Sequence, residues 1–237
     1  MKKIRIVIAG AAGKMGKRIN ALAAGDPELE VIAGVDLKPD GKAGIVDSID
    51  KVTKPYDCIV EFTSPQATVE HVKKAVTLKK PMVIGTTGLG TGDIETIRRA
   101  SNEIPVVFSP NMSVGVNTMF MLIEKASETL TAGDYKVSIN EAHHIHKKDK
   151  PSGTAKFMAD IVKSKRGDAV VPVESQREGE IIGDHEIIFE SPADTVRISH
   201  SAKTRDIFAL GALRAAKFVA FKKNGLFRMT DVLGEKI

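Results

Sequence analysis

The sequence holds a single cysteine, Cys58, and no tryptophan, and aromatic residues make up only 5% of it. One thiol excludes an internal disulfide and any zinc site built from several cysteines. Cys58 lies in the run Tyr56-Asp-Cys-Ile-Val-Glu61, which reads as a buried strand, so it is expected to be a core thiol and thioester chemistry is disfavoured. Long hydrophobic runs are missing too. Ile4 to Ala9 follows a basic start but is interrupted by Arg5 and is too short for a signal sequence, and nothing later approaches a membrane span. We expect a cytoplasmic protein without membrane contact. Few aromatics, with Lys and Arg spread along the chain, argue against nucleic acid as the reason for the net charge of +5. An anionic cofactor and an anionic substrate account for the basic surplus instead.

What is present is enough for two modest domains: 237 residues, 42% of them hydrophobic. Ile4-Arg-Ile-Val-Ile-Ala9 suits a central parallel strand, Gly10-Ala-Ala-Gly13-Lys-Met-Gly16 a tight turn, and Lys17 to Ala24 a helix with Ile19, Leu22 and Ala23 inward. Strand, glycine turn and helix in that order are the setting of a dinucleotide-binding fingerprint, although the glycine spacing departs from G-x-G-x-x-G. A second strand, Glu30 to Val35, ends in Asp36, where an acidic side chain binds an adenosine ribose. Asp36 alone favours NADH, whereas Lys38 and Lys14 attract the 2'-phosphate of NADPH, so use of either cofactor is expected.

Two more apolar strands, Cys58 to Phe62 and Pro81 to Ile84, stop at Thr63-Ser-Pro65 and Gly85-Thr-Thr-Gly88. In an open parallel sheet the ligand lies at the carboxyl ends of the strands, so both stops are expected to face the cofactor. After a strand at Ile104–Phe108 the Gly-, Pro-, Asn- and Ser-rich Ser109 to Asn117 marks a crossover out of the nucleotide domain. The expected fold is α/β: an N-terminal Rossmann-type doubly wound parallel sheet over 1–113 and 205–237, and a C-terminal α+β domain with a mixed sheet over 114–204.

The chain is organised around Glu141-Ala-His-His-Ile-His-Lys-Lys-Asp-Lys-Pro-Ser-Gly-Thr154, which holds three of the six histidines and three lysines. Alternation in Tyr135 to Asn140 predicts a strand before it, and Phe157, Met158, Ile161 and Val162 follow helical period after it, so the cluster is expected to be a strand-to-helix loop. The first N–H groups of that helix, around Ser152, Gly153 and Thr154, carry partial positive charge that suits a carboxylate. With Lys147, Lys148 and imidazoles that titrate near neutrality, the loop reads as an acid-assisted site for a small, multiply anionic substrate. A metal is not expected there, because the stretch has no cysteine and its lysines repel a dication. A solvated basic loop is the competing reading.

These motifs, Gly10 to Gly16, Glu61-Phe-Thr63, Gly85 to Gly88, Asn111 to Asn117, Glu141 to Lys147 and Pro151 to Thr154, closely resemble those of the dihydrodipicolinate reductase family over nearly the whole chain. The resemblance implies NADH- or NADPH-dependent reduction of a cyclic unsaturated dicarboxylate in the diaminopimelate route to lysine, by a homotetramer whose second domain binds substrate and assembles the subunits. By motif position it implies His143 as general acid with Lys147 as its partner, and His144, Lys147, Gly153 and Thr154, with Ser152 beside them, as ligands of the substrate carboxylates. Gly10, Lys14, Met15, Asp36, Gly85 and Thr87 are implied cofactor contacts; Ala12, Gly13, Lys38, Thr63, Thr86 and Asn111 complete the candidate set. Glu61 stands where an aspartate is frequent, and the chain is shorter than many members between Asp36 and Asp57 and around 166–185. Another nicotinamide-dependent dehydrogenase of a small amino-acid-derived substrate is the alternative enzyme reading. A cofactor-sensing binding protein without turnover is disfavoured by the acid cluster.

Overall fold

The structure, a computed structural model, describes residues 2–37 and 44–234, so the candidate Lys38 lies outside the described residues. The chain divides into two compact units, one formed by residues 2–113 with Phe208–Gly234 and the other by Val114–Ile207.

The first unit alternates β1 (Ile4–Ala9), α1 (Lys14–Ala24), β2 (Leu29–Val35), β3 (Ile45–Val46), β4 (Cys58–Glu61), α2 (Pro65–Leu78), β5 (Met82–Ile84), α3 (Thr91–Ala100) and β6 (Pro105–Phe108). The second contains α4 (Val114–Thr129), β7 (Lys136–His143), α5 (Gly153–Arg166), β8 (Val173–Arg177), β9 (Asp184–Glu190) and β10 (Thr195–Ser201). The chain then returns through α6 (Asp206–Val219), β11 (Gly225–Phe227) and α7 (Met229–Leu233).

In the first unit seven strands pair in the order β11-β6-β5-β4-β1-β2-β3, and every pairing is parallel. Parallel strands covered on both faces need continuous apolar sequence, and Ile6, Val7, Ile8, Ile59, Val60, Met82 and Val83 are all fully or almost fully buried. The order reverses at β1 and β4, and the crevice beyond the carboxyl ends of those neighbours is where such sheets bind ligands. β11 joins the far edge beside β6, which ties the C-terminal segment into this sheet. Cys58 is fully buried here and burial pushes its thiol up, so it is inert core.

The second unit has four strands in the order β10-β9-β7-β8, with β7 and β8 parallel and the other neighbours antiparallel. One face packs on α4 and α5 through Val116, Met119, Phe120, Ile123, Met158 and Val162. Cross-strand rows on that face change character along the sheet. Ile198, Ile187, Ile139 and Val173 form an apolar row; the next in register is His200, His185, Glu141 and Ser175; beyond it His143 faces Arg177. The site therefore begins where the apolar core ends.

One sequence expectation needs correction. Glu141 and His143 are the last inward residues of β7 instead of loop residues. The strand continues because Arg177 neutralises the buried Glu141, a partner that local alternation does not reveal. β8 runs in register with Ile139–His143, which sets Arg177 opposite His143.

Candidate active site

In the first unit the glycine turn is shaped by close approach. Gly10 has φ +82°, and a Cβ there would stand 2.1 Å from the carbonyl oxygen of Phe62 and 3.1 Å from the Thr63 side chain. A Cβ on Gly16 would lie 2.2 Å from the Gly10 oxygen, so α1 sits against the turn only because Gly16 has no side chain. The N–H of Ala12 donates to Asp36 Oδ2 at 3.0 Å, so the candidate ribose ligand is already braced by the turn. The first helical bond of α1 runs from Lys17 N to Gly13 O at 3.0 Å. The N–H groups of Lys14, Met15 and Gly16 precede it and form the positive end of the helix. A backbone cradle that side chains would fill, ahead of a helix start, fits a pyrophosphate.

At the ends of β4 and β5 the half-buried Thr63 and the buried Thr86 belong to one hydrogen-bond network. Thr63 N donates to Thr86 Oγ1 at 3.2 Å, and Thr68 Oγ1 donates to Thr86 Oγ1 at 2.8 Å. The Thr63 hydroxyl donates to Glu61 Oε1 in a short bond. Thr87 is exposed next to them, and Gly85 N donates to the Glu61 carbonyl at 2.9 Å. The Asn111 side chain accepts from Ser113 N at 2.8 Å, bracing the start of α4.

The second unit gathers His143, Lys147 and Ser152 around a carboxylate that sequence reasoning left without a role. Glu141 is buried and accepts from both terminal nitrogens of Arg177, NH1 to Oε2 at 3.0 Å and NH2 to Oε1 at 2.8 Å. Ser152 N donates to Oε1 at 3.3 Å. Burial opposes the charge on Glu141, but the hydrogen bonds from Arg177 and His143 overcome it and hold the carboxyl at about 2. An ionised carboxylate only accepts, so the His143 Nδ1 found 2.5 Å from Oε2 carries the proton and donates. Nε2 of His143 is left as the exchangeable position. A Cβ on Gly183 would stand 3.0 Å from that nitrogen, so the glycine keeps its side open.

Burial draws His143 below the usual histidine range; Glu141 pulls it back up, while Lys147 and Arg177 push it down. His185 packs edge-on against His143 with ring centroids 5.0 Å apart, and its Nε2 lies 3.1 Å from Ser152 Oγ. Burial, then the neighbouring His143, pull His185 down to about 4, so it is neutral at physiological pH. Ser152 Oγ also accepts from Ala155 N at 3.2 Å as the cap of α5. Ser152 thus spends its polar atoms on Glu141, the helix and His185, which leaves the exposed Gly153 as the leading N–H of α5. Lys147 Nζ pairs with Asp149 Oδ1 at 2.8 Å. Nε2 of His144 lies 3.3 Å from the terminal nitrogen of Arg205, within the same unit.

Glu141, His143 and His185 place ligand-type atoms within 4.8 Å of one another. Both Glu141 oxygens are engaged by Arg177, with Ser152 on one and His143 on the other, so a guanidinium stands where a dication would have to bind. Sequence reasoning missed Arg177, His185 and Arg205. Period-two spacing of Val173, Ser175 and Arg177 on β8 is the signal that places the first of them on the Glu141 face.

A parallel sheet with a close-approach glycine turn, and a second unit in which an ion-locked histidine ends a mixed sheet, define a two-unit α/β protein of the dinucleotide-binding kind. The dihydrodipicolinate reductase N-terminus family model matches residues 4–112, and the C-terminus model matches 115–233. A 4-hydroxy-tetrahydrodipicolinate reductase of Caldanaerobacter subterraneus is 37% identical, with 97% of this chain and 98% of the relative covered. One from Aquifex aeolicus is 36% identical, covering 98% and 99%. Among solved structures, a dipicolinate-bound dihydrodipicolinate reductase from Paenisporosarcina superposes with TM-score 0.84 at 21% identity, covering 97% and 98%. An engineered D-amino acid dehydrogenase bound to NADP+ shares the fold at TM-score 0.62 and 13% identity, covering 100% and 97%. The chain belongs to the dihydrodipicolinate reductase family and is an oxidoreductase with a nicotinamide-nucleotide-binding fold. Among the described residues no helix is long and apolar enough to cross a membrane.

Proposed function

We propose that the chain reduces 4-hydroxy-tetrahydrodipicolinate, or its dehydrated form, to tetrahydrodipicolinate with NADH or NADPH, in the cytoplasm and as a homotetramer. The observation that carries the reading is the buried Glu141–His143 pair, which fixes Nδ1–H and leaves Nε2 to exchange a proton. When bound, the dihydronicotinamide supplies a hydride. Gly10, Ala12, Gly13, Lys14 and Met15 would hold its pyrophosphate, Asp36 its adenosine ribose, and Thr63, Gly85, Thr86 and Thr87 the nicotinamide end.

Adding hydride to one end of a conjugated C=C–C=N system sends an electron pair to the other end, which must take a proton. His143 Nε2–H supplies it. The Glu141 carboxylate stabilises the imidazolium before transfer and the correct neutral tautomer after it. His144, Lys147 and Thr154, with the N–H of Gly153 at the head of α5, hold the substrate carboxylates; Lys147 exchanges Asp149 for the substrate as it binds. Two negative charges arriving beside His143 raise its proton affinity, so the acid is charged by the substrate it serves. The second domain, 114–204, is the substrate and assembly domain in this reading, with 1–113 and 205–237 binding the nucleotide.

The test is oxidation of NADH and NADPH coupled to the freshly generated product of the preceding synthase, followed spectrophotometrically. Turnover with that product, and none with homoserine or aspartate semialdehyde, is expected. The reverse pattern would select the other dehydrogenase reading. Light scattering on the eluting protein checks the tetramer.

A further inference from the structure

One side chain holds both halves of the second-unit site. Arg177 ends β8 directly opposite His143 on β7, and its guanidinium side chain is only 12% exposed. Two of its nitrogens grip the Glu141 carboxylate, whose Oε2 in turn accepts from His143. Its Nε donates to the carbonyl oxygen of Lys147 at 3.3 Å, and NH2 donates to that of Asp149 at 2.5 Å. The same planar group therefore fixes the partner of the acid and the backbone that carries Lys147. NH1 also donates to the Gln176 carbonyl at 2.5 Å, which anchors the guanidinium to its own strand.

We propose that Arg177 is the positioning residue of the reaction: through Glu141 it sets the tautomer and orientation of His143, and through the Lys147 and Asp149 carbonyls it sets where the Lys147 ammonium stands. The inference rests on the functional reading above. A lysine cannot replace it, because a single ammonium does not present the flat fork that meets both carboxylate oxygens while a third nitrogen reaches the loop. Without the guanidinium, buried Glu141 loses its main counter-charge and becomes a proton acceptor competing with His143, and the loop from 147 to 149 loses two of its tethers. Glu141 is a positioning residue of the same kind, one step nearer the acid.

Three measurements test this on the full-length protein. Nitrogen-15 NMR of the wild type at neutral pH, without substrate, is expected to show His143 protonated at Nδ1; in Arg177→Ala that preference should be lost. With substrate, Arg177→Ala and Arg177→Lys should lose on the order of 10²-fold in kcat, the low end of what a general acid contributes, while the dissociation constant for NADH measured by calorimetry is unchanged. Millimolar methylguanidinium should restore kcat of Arg177→Ala several-fold and leave Glu141→Gln as it was. An unchanged His143 tautomer in Arg177→Ala overturns the proposal whether or not the enzyme turns over the substrate, which separates its failure from that of the functional reading. A folded Arg177→Lys enzyme with kcat within twofold of wild type overturns it as well.

Discussion

Glu61 Oε2 lies 2.7 Å from Nδ1 of His71, and the Glu61 side chain is completely shielded from solvent at the end of β4. Its other oxygen accepts from the Thr63 hydroxyl and lies 3.3 Å from that of Thr68, which donates to Thr86. One carboxylate therefore braces both candidate threonines, Thr63 and Thr86, at the ends of β4 and β5. Glu61→Gln keeps the shape but replaces one accepting oxygen with a donor amide against the Thr63 hydroxyl or His71. A buried group left mispaired costs about 1–3 kcal/mol, so the variant should melt several degrees lower and bind NADH more weakly. Thermal unfolding and calorimetric titration read both, and a variant with wild-type melting temperature and affinity would dissolve the link between the pair and the threonines.

The glycine turn makes a graded prediction. A Cβ on Gly16 meets backbone at 2.2 Å, whereas one on Gly13 comes no closer than 3.1 Å to the Gly10 oxygen. Backbone cannot yield as a side-chain tip does, so Gly16→Ala should cost about 1–3 kcal/mol of stability together with cofactor binding. Gly13→Val should fold, yet block the approach of pyrophosphate and raise the NADH dissociation constant strongly. Equal NADH affinity in a folded Gly13→Val protein would move the pyrophosphate elsewhere.

The acid row of the second unit predicts how stability depends on pH. His185 is held at about 4 against an ordinary 6.5, so above 6.5 it is neutral in both folded and unfolded chains and contributes no pH dependence. As pH falls from 6.5 toward 4 the unfolded chain binds a proton that the folded one refuses, and stability drops by up to about 3 kcal/mol. His143 and His200 are lowered too and add to the loss. Glu141, held at about 2, loses its contribution only as pH falls from 4.5 through that value. Melting temperature measured from pH 7 to 4 should decline, and His185→Asn should flatten the decline. An unchanged slope would mean that His185 is protonated in the folded state.

Much of this was legible in the sequence because its signals are local. Ile4 to Gly16 reads as strand, turn and helix from contiguous residues, and Ser152 before Gly153 marks the start of α5 in the same way. What was not legible depends on distant partners. Glu141 looks like a strand end until Arg177, a residue 36 positions on, neutralises it. Glu61 looks like a conservative change from aspartate, yet its extra methylene carries the carboxylate to His71 on α2. His185 reads as one polar residue in an alternating strand, and only the register with Glu141 and His200 brings it into the acid row. Short β3 has too few residues to show any period.

The last prediction separates proton transfer from substrate holding. His143→Gln should lower kcat by about 10²- to 10⁴-fold with little change in cofactor affinity, since it removes the proton and keeps the shape. His144→Ala and Thr154→Ala should act mostly on KM, because a carboxylate contact made equally in ground and transition states weakens binding without slowing the bound complex. Lys147→Ala should change both, as its ammonium serves binding and offsets charge near the acid. The pH profiles carry an independent signature. His143 must be protonated to act, and in the free protein burial draws its proton affinity below the ordinary histidine value. The alkaline fall of kcat/KM, which reports the free enzyme, should therefore lie below pH 6.5, whereas that of kcat, which reports the complex with a dianion beside the imidazole, should lie higher. His143→Gln should abolish the limb in kcat. Coincident limbs in the wild type, or a His143→Gln enzyme with near wild-type kcat, would transfer the acid role to another group.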